Sequence, residues 1–238
     1  MHQLVGYHRP KSLAEATGLL ESPNRMPLAG GTTIVHDGGG HPVELVDLQA
    51  LGLGTIATNG SHVELGATAT LQAVLDSEMV PDAIRKAAKA DQPSTLRTLA
   101  TVGGSVGAAE GESLLLAALL VHDAIVNFAD DQSAPLAEVM SNGLSPGDLI
   151  VSVSVTTGGS TAMAATGRTP RDTPIVAVVG RRNDDHTRLA ICGVGPTPQL
   201  VEEDSLGQLE PPTDFRGTAE YRKRLAEVLT ARVVGELS

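Results

Sequence analysis

The sequence predicts an α+β fold with a small α/β unit, a larger mixed-sheet unit, and a C-terminal antiparallel sheet with a helix. Three observations predict this class. A capped helical pattern is followed by two short apolar strands near the N-terminus. The dipeptide Asn59-Gly60 is a strong signal for an antiparallel hairpin. Two apolar strands, 175–179 and 189–192, precede a closing helix over 218–236.

Composition limits the classes of protein that fit. The 238 residues are 41% hydrophobic, which is enough for one large domain or two smaller ones. The net charge of −11 argues against nucleic acid and anionic membranes as partners. No apolar run approaches the length of a membrane span and the first residues lack a signal-peptide core, so we expect a cytoplasmic protein. The single cysteine, Cys192, excludes an internal disulfide and a cysteine-rich metal site.

The first predicted unit is built from one helix and two strands. Ser12 and Glu15 form a capping box at the start of a helix that ends near Pro23. Strands are expected over residues 26–29 and 43–48. Together they make an α/β unit of roughly fifty residues.

The middle and the end of the chain supply the remaining elements. The hairpin strands are residues 55–58 and 61–65, on either side of Asn59-Gly60. The further predicted elements are a helix capped by Thr70, a helix over 81–90, a helix over 114–121 capped by Ser113, and strands over 124–128 and 149–155. The apolar side of the closing helix is expected to carry Tyr221, Leu225, Val228, Leu229 and Val233.

Three segments predict irregular backbone. Residues 92–97 form a polar loop, and Gly107 and Gly111 predict irregular structure until Ser113. The glycine-, serine- and threonine-rich stretch 156–161 is typical of a link between subdomains.

Two glycine turns carry the strongest functional signal. Each places a Gly-Gly pair after a short apolar segment and follows it with a hydroxyl residue; the residues are Gly30, Gly31, Thr32 and Thr33, then Thr101, Gly103, Gly104 and Ser105. Paired glycines adopt positive φ without Cβ strain, so that several backbone N–H groups can face one anion. Neither turn contains lysine or arginine, so amides and hydroxyls would hold the phosphate. Two such turns predict a diphosphate clamp, with two ligand-free tight turns as the alternative.

A serine hydrolase is a second interpretation of the same segment. Gly103–Gly107 fits the G-x-S-x-G pattern of a nucleophile elbow. The catalytic residues would be Ser105, an acid such as Asp148 or Asp172, and His186, with the HDGGGH loop over 36–41 as oxyanion loop. An elbow needs a helix directly after the serine, and the predicted irregular backbone opposes that.

A metal site is a weaker interpretation. Its ligands would be His36, Asp37 and His41, but their glycine-rich loop favours a solvated segment over a preorganised site. The dinucleotide-binding pattern is absent, because Gly193-Val-Gly195 is followed by a proline and cannot open a phosphate-binding helix.

Several motifs, taken in order, resemble one family. They are YHRPKSLAEA, PLAGGTT, VELVDL, LGATATL, ATVGGSVG and RGTAEYRKRLAEVL, which extend from Tyr7 to about Val233. In this order they resemble the flavoprotein (medium) subunit of molybdenum hydroxylases, the group of carbon monoxide dehydrogenase and xanthine dehydrogenase. The resemblance implies a vanillyl-alcohol-oxidase (PCMH-type) FAD-binding domain over 1–158, with subdomains of about 1–54 and 55–158, and a flavoprotein C-terminal domain over 162–238.

The resemblance also implies a cofactor and an oxidoreductase role. The FAD diphosphate would bind at Ala29, Gly30, Gly31, Thr32, Thr33, Thr101, Val102, Gly103, Gly104 and Ser105. Electrons would come from an iron–sulfur small subunit, itself supplied by a molybdenum-cofactor large subunit, and pass through FAD to an acceptor. The solitary cysteine agrees with this division, because the chain cannot hold a cluster itself.

The chain differs from the family pattern at four positions. Ser105 stands where the family has asparagine, Ala108 and Leu114 stand where asparagine and aspartate are expected, and Ala165 stands where a flavin-side lysine is expected. These departures leave open a flavin-poor assembly subunit of such a complex.

Overall fold

The N-terminal region forms a parallel sheet covered by one helix. The computed structural model describes residues 3–34, 42–166, 173–184 and 186–238. The sheet has the order β1-β3-β2, with β1 at Gln3–His8, β2 at Arg25–Leu28 and β3 at Pro42–Asp47. Helix α1, Leu13–Leu20, begins where the Ser12 hydroxyl accepts a hydrogen bond from the Glu15 amide at 3.2 Å. The predicted helix and both predicted strands are therefore confirmed, whereas β1 was not predicted.

The middle region contains six helices and a five-stranded sheet whose pairs are all antiparallel, rather than the mixed sheet that the sequence predicted. Its order is β4-β5-β8-β6-β7, and the strands are β4 Ile56–Asn59, β5 His62–Gly66, β6 Ile125–Phe128, β7 Ser133–Pro135 and β8 Ile150–Thr156. The helices are α2 Leu71–Asp76, α3 Asp82–Asp91, α4 Ser94–Arg97, α5 Val102–Ala108, α6 Leu114–Val121 and α7 Leu136–Asn142.

The C-terminal region is a four-stranded antiparallel sheet, as predicted. Its order is β12-β11-β10-β9, with β9 Ser160–Thr166, β10 Val176–Asn183, β11 His186–Cys192 and β12 Gln199–Val201. Helix α8, Ala219–Leu237, packs on one face. Residues of the other face, among them Val179 and Ala190, join the core around α6. Every side chain of α6 is buried, because helices of the middle region and strands of the C-terminal sheet enclose it.

The predicted hairpin is present, with its turn displaced by one residue. Asn59 pairs with His62, so the two-residue loop is Gly60-Ser61. Gly60 has a φ of 63°, as the first central residue of a type II′ turn requires.

Three predictions of irregular backbone are only partly correct, since residues 92–93, 109–113 and 157–159 are irregular and their neighbours are not. Residues 94–97 form α4 rather than a loop, and β9 begins at Ser160, inside the expected link. The segment around Gly107 is largely helical, because the Thr101 hydroxyl caps α5 by accepting the Gly104 amide at 3.1 Å. Tertiary contacts outweigh the low helix propensity of glycine here.

The predicted apolar side of α8 is also partly wrong. Tyr221 and Val228 are about half exposed. The buried residues are Arg222, Ala226, Leu229, Thr230, Val233 and Leu237. Arg222 belongs to this face because its guanidinium donates to the Gly193 carbonyl at 2.6 Å, to the Ile175 carbonyl and to Asp214. Among the described residues, no helix is long and apolar enough to cross a membrane.

Candidate functional site

A cavity of about 410 Å³ lies where the first glycine turn, α5 and the start of β8 meet. This volume is within the range of small-molecule sites, about 300–1,000 Å³. The predicted residues that line it are Ala29, Gly30, Gly31, Thr32, Thr33, Thr101, Gly103 and Gly104. The fold therefore brings both glycine segments, which are separated by about 70 residues of sequence, to one cavity.

The first glycine turn follows β2 and can be built only from small residues. A Cβ at Gly30 would lie 1.8 Å from the Leu99 carbonyl oxygen, and Gly31 has a φ of 72°. The amides of Gly30, Gly31, Thr32 and Thr33 donate no hydrogen bond to any residue that the structure describes. No described residue therefore competes with a ligand for these N–H groups.

The second glycine segment has a different role from the one that its sequence suggests. Its amides are already engaged: Val102 donates to the Ala69 carbonyl, Gly103 to the Ala67 carbonyl at 2.8 Å, and Ser105 to the Thr101 carbonyl. The Gly104 amide donates to the Thr101 hydroxyl. These donors are engaged by α5 itself and by carbonyls of the segment that follows β5. The segment instead gives the cavity a wall without side chains.

Two predicted site residues lie outside the main cavity. The Val102 side chain is fully buried in the core. Ser105 lines a notch of about 20 Å³ that shares Thr32, Thr33 and Thr101 with the cavity.

The positions that depart from the family pattern lie in three different environments. Ala108 lines both the cavity and the notch. Leu114 is buried in the core at the start of α6, and Ala165 is exposed on β9. Of the four departing positions, Ala108 and Ser105 therefore lie at the cavity or its notch, and Leu114 and Ala165 do not.

Sequence reasoning missed several residues of the site. The apolar residues Leu144 and Ile150 and the carboxylate of Asp148 line the cavity. Asp91 lines the notch. Sequence reasoning named Asp148 only as a candidate acid of a hydrolase, and no local pattern links the other residues to the glycine turns, because packing between separate elements brings them to the site.

The hydrolase triad is not assembled in the described part of the chain. Helix α5 begins before Ser105, so the objection based on irregular backbone does not hold. However, the Ser105 hydroxyl has no hydrogen bond to a described residue, and His186 is exposed on β11. Asp148 accepts from the Ser145 amide at 2.7 Å. Asp172 lies outside the described residues.

The structure offers no metal site among the residues that it describes. It contains no group of three or more histidine, cysteine, aspartate or glutamate side chains that could hold an ion there. His36, Asp37 and His41 lie outside the described residues. Burial raises the pKa of the Cys192 thiol to about 12, so this cysteine is neither a reactive thiolate nor an exposed ligand.

Comparison with known proteins gives consistent matches. A family model described as the FAD binding domain in molybdopterin dehydrogenase matches residues 3–158. The protein YgfM of Escherichia coli (strain K12), described as uncharacterised, is 26% identical over 78% of this chain and 77% of its own length. The carbon monoxide dehydrogenase medium chain of Afipia carboxidovorans is 26% identical over 96% of this chain and 94% of its own length.

Solved structures match over the whole chain. One is a carbon monoxide dehydrogenase from Hydrogenophaga pseudoflava that lacks the Mo-pyranopterin moiety of the molybdenum cofactor. It has a TM-score of 0.89 at 22% identity, and the match covers 100% of this chain and 98% of that one. This similarity confirms the predicted fold class.

Proposed function

Because this chain belongs to the family of FAD-binding domains in molybdopterin dehydrogenases, with FAD as its cofactor, we propose that it is the electron-transfer subunit of a molybdenum hydroxylase. In this role it takes electrons from iron–sulfur clusters and passes them through FAD to an acceptor.

The cavity between the two glycine segments is the observation that carries this proposal. Gly30 leaves no room for a Cβ, and the neighbouring amides are not engaged by described residues. Such a cradle suits a diphosphate, because backbone amides bind anions without a positively charged side chain. The proposed binding residues are Ala29, Gly30, Gly31, Thr32, Thr33, Thr101, Val102, Gly103, Gly104 and Ser105.

The protein positions the cofactor and excludes water from it, and FAD supplies the redox chemistry when bound. The amides of the first turn hold the diphosphate, and the second segment lets the cofactor approach the α5 backbone closely. Leu144 and Ile150 give the cavity apolar walls, which exclude water and strengthen the hydrogen bonds inside it.

The same role requires partners that hold the other redox centres. The chain has one cysteine, which is buried, so it cannot hold an iron–sulfur cluster itself. We therefore propose an iron–sulfur small subunit and a molybdenum-cofactor large subunit as partners, in the cytoplasm. We also propose the domain division at residues 1–158 and 162–238, since each of the three sheets draws its strands from one side of this boundary.

The test is purification of the chain from its native source, followed by visible spectroscopy and metal analysis. The expected result is one non-covalent FAD per chain, together with iron and molybdenum. A chain that elutes alone without metals contradicts the electron-transfer role even if FAD is bound. A complex with iron and molybdenum but without flavin supports the flavin-poor assembly subunit instead.

A further inference from the structure

The notch beside the cavity contains a carboxylate held in a fixed position. Asp91, at the end of α3, reaches the start of α6. Its Oδ1 accepts hydrogen bonds from the Ser113 hydroxyl at 2.9 Å and from the Leu115 amide at 3.1 Å. Ser113 is itself fixed, because its hydroxyl oxygen also accepts the Leu116 amide. One oxygen of Asp91 thus anchors the group in place.

The second oxygen, Oδ2, has no described donor at full hydrogen-bond geometry, although the Leu114 amide lies near the carboxylate and favours its charged form. Burial raises the pKa of Asp91, because the carboxylate has lost much of its hydration. A hydrogen-bond donor at Oδ2 would replace part of that hydration. The notch of about 20 Å³ has room for one group of about the size of a water molecule.

The chemistry of the notch selects the group that can enter it. An ionised carboxylate only accepts hydrogen bonds, and Glu110 places a second carboxyl group at the same notch. Two carboxylates repel a phosphate. A hydroxyl group is neutral, donates a hydrogen bond and fits the space. FAD carries such groups on its ribose and on its ribityl chain.

We propose that Asp91 accepts a hydrogen bond from one hydroxyl group of FAD and so fixes the direction in which the cofactor lies. The diphosphate binds at the amides of the first glycine turn, and the hydroxyl-bearing part adjoins the notch. This inference rests on the proposed function, because it takes FAD as the ligand of the cavity. Asp91 is thereby a determinant of specificity for a cofactor with a hydroxyl group at this point.

The experiment measures the dissociation constants of FAD, ADP and FMN for the purified chain by titration calorimetry. The variant is Asp91→Asn, and the matched control is Asp82→Asn, an exposed carboxylate at the other end of the same helix. Replacing a charge-assisted hydrogen bond by a neutral one is expected to raise the dissociation constant of FAD about tenfold. The control is expected to bind like the unaltered chain.

The choice of ligands identifies the hydroxyl group. If Asp91→Asn binds both FAD and ADP more weakly than the unaltered chain, the hydroxyl group is on the ribose. If it binds FAD and FMN more weakly but ADP equally well, the hydroxyl group is on the ribityl chain. Equal affinities of Asp91→Asn and the unaltered chain for FAD overturn the inference and leave the proposed function standing. Failure of the unaltered chain to bind FAD overturns the proposed function as well.

A second measurement does not depend on the folding of the variant. FAD analogues that lack one hydroxyl group are titrated into the unaltered chain. One of them is expected to bind about 10 to 150 times more weakly than FAD, because the analogue loses the whole hydrogen bond to the charged carboxylate, which contributes about 1.5–3 kcal/mol. If every deoxy analogue binds as tightly as FAD, Asp91 does not recognise a hydroxyl group.

Discussion

Replacing Gly30 by alanine tests the cofactor cavity most directly. The added Cβ would lie 1.8 Å from the Leu99 carbonyl oxygen and 2.6 Å from its carbon. Ordinary contact begins at 3.4 Å, so the two segments must separate by 3.4 − 1.8 = 1.6 Å. Both contacting atoms belong to the backbone, and no side chain can move aside to relieve the overlap.

Gly30→Ala is expected to lower both the stability of the fold and the affinity for FAD, and the two effects can be measured separately. Overpacking of this kind lowers the free energy of unfolding by about 1–3 kcal/mol. A shift of the turn also misaligns its amides, and each hydrogen bond to a charged group contributes about 1.5–3 kcal/mol. Loss of one such bond to the diphosphate weakens FAD binding by a factor of about 10 to 150.

The assay is an FAD titration of the purified variant together with thermal unfolding in the absence of the cofactor. Gly18→Ala is the control, because a Cβ there meets no atom within 4 Å and Gly18 lies in α1, away from the cavity. Gly104→Val is expected to displace the backbone less than Gly30→Ala does, since its Cβ would meet only the Thr101 hydroxyl, at 2.9 Å. Unchanged stability and FAD affinity in Gly30→Ala would refute the assignment of the cavity.

Three further predictions concern buried groups and the alternative activity. Burial lowers the pKa of His122 from 6.5 to about 4. Between pH 6.5 and about pH 4 the unfolded chain therefore binds a proton that the folded chain does not, and the folded state loses stability as the pH falls through this range. The neutral histidine thus contributes about 3 kcal/mol to the free energy of unfolding at pH 7, at about 1.36 kcal/mol per pH unit. In denaturant titrations at pH 7 and pH 4, the unfolding free energy of His122→Asn should fall less between the two pH values than that of the unaltered chain. Arg222→Met removes the buried donor to the Gly193 and Ile175 carbonyls and should cost about 1–3 kcal/mol in urea unfolding, whereas the exposed Arg224→Met should cost little. Ser105 should remain unlabelled by a fluorophosphonate probe, and Ser105→Ala should weaken FAD binding by only about 0.5–1.5 kcal/mol; labelling would revive the hydrolase hypothesis.

Much of the fold could be predicted because its signals are local. Four predicted helices begin at a hydroxyl residue that caps them: Ser12, Thr70, Ser113 and Thr218. Such a cap can be recognised in the sequence because the amide that it binds lies only three residues ahead. The hairpin at Gly60 depends on two residues and their immediate neighbours. The ordered motifs from Tyr7 to about Val233 were sufficient to predict the family, which the match over residues 3–158 confirms.

The parts that could not be predicted depend on contacts between distant segments. Strand β1 exists because it pairs with β3, although Leu4, Val5 and Tyr7 remain about half exposed and no alternating pattern marks it. The buried face of α8 includes Arg222, since carbonyls of the C-terminal sheet and Asp214 receive its guanidinium.

The candidate site shows most clearly which features follow from local sequence and which depend on tertiary contacts. The glycine pairs in the sequence determined where the backbone could approach a ligand. Only the tertiary structure decided that Gly30 meets Leu99, that the amides of the second segment are engaged by α5 and by the segment after β5, and that Asp91 reaches Ser113. The physical reason is that a sequence pattern reports the conformational preferences of adjacent residues. Which donors remain available, and which carboxylate faces a cavity, depends on packing between segments far apart in the chain.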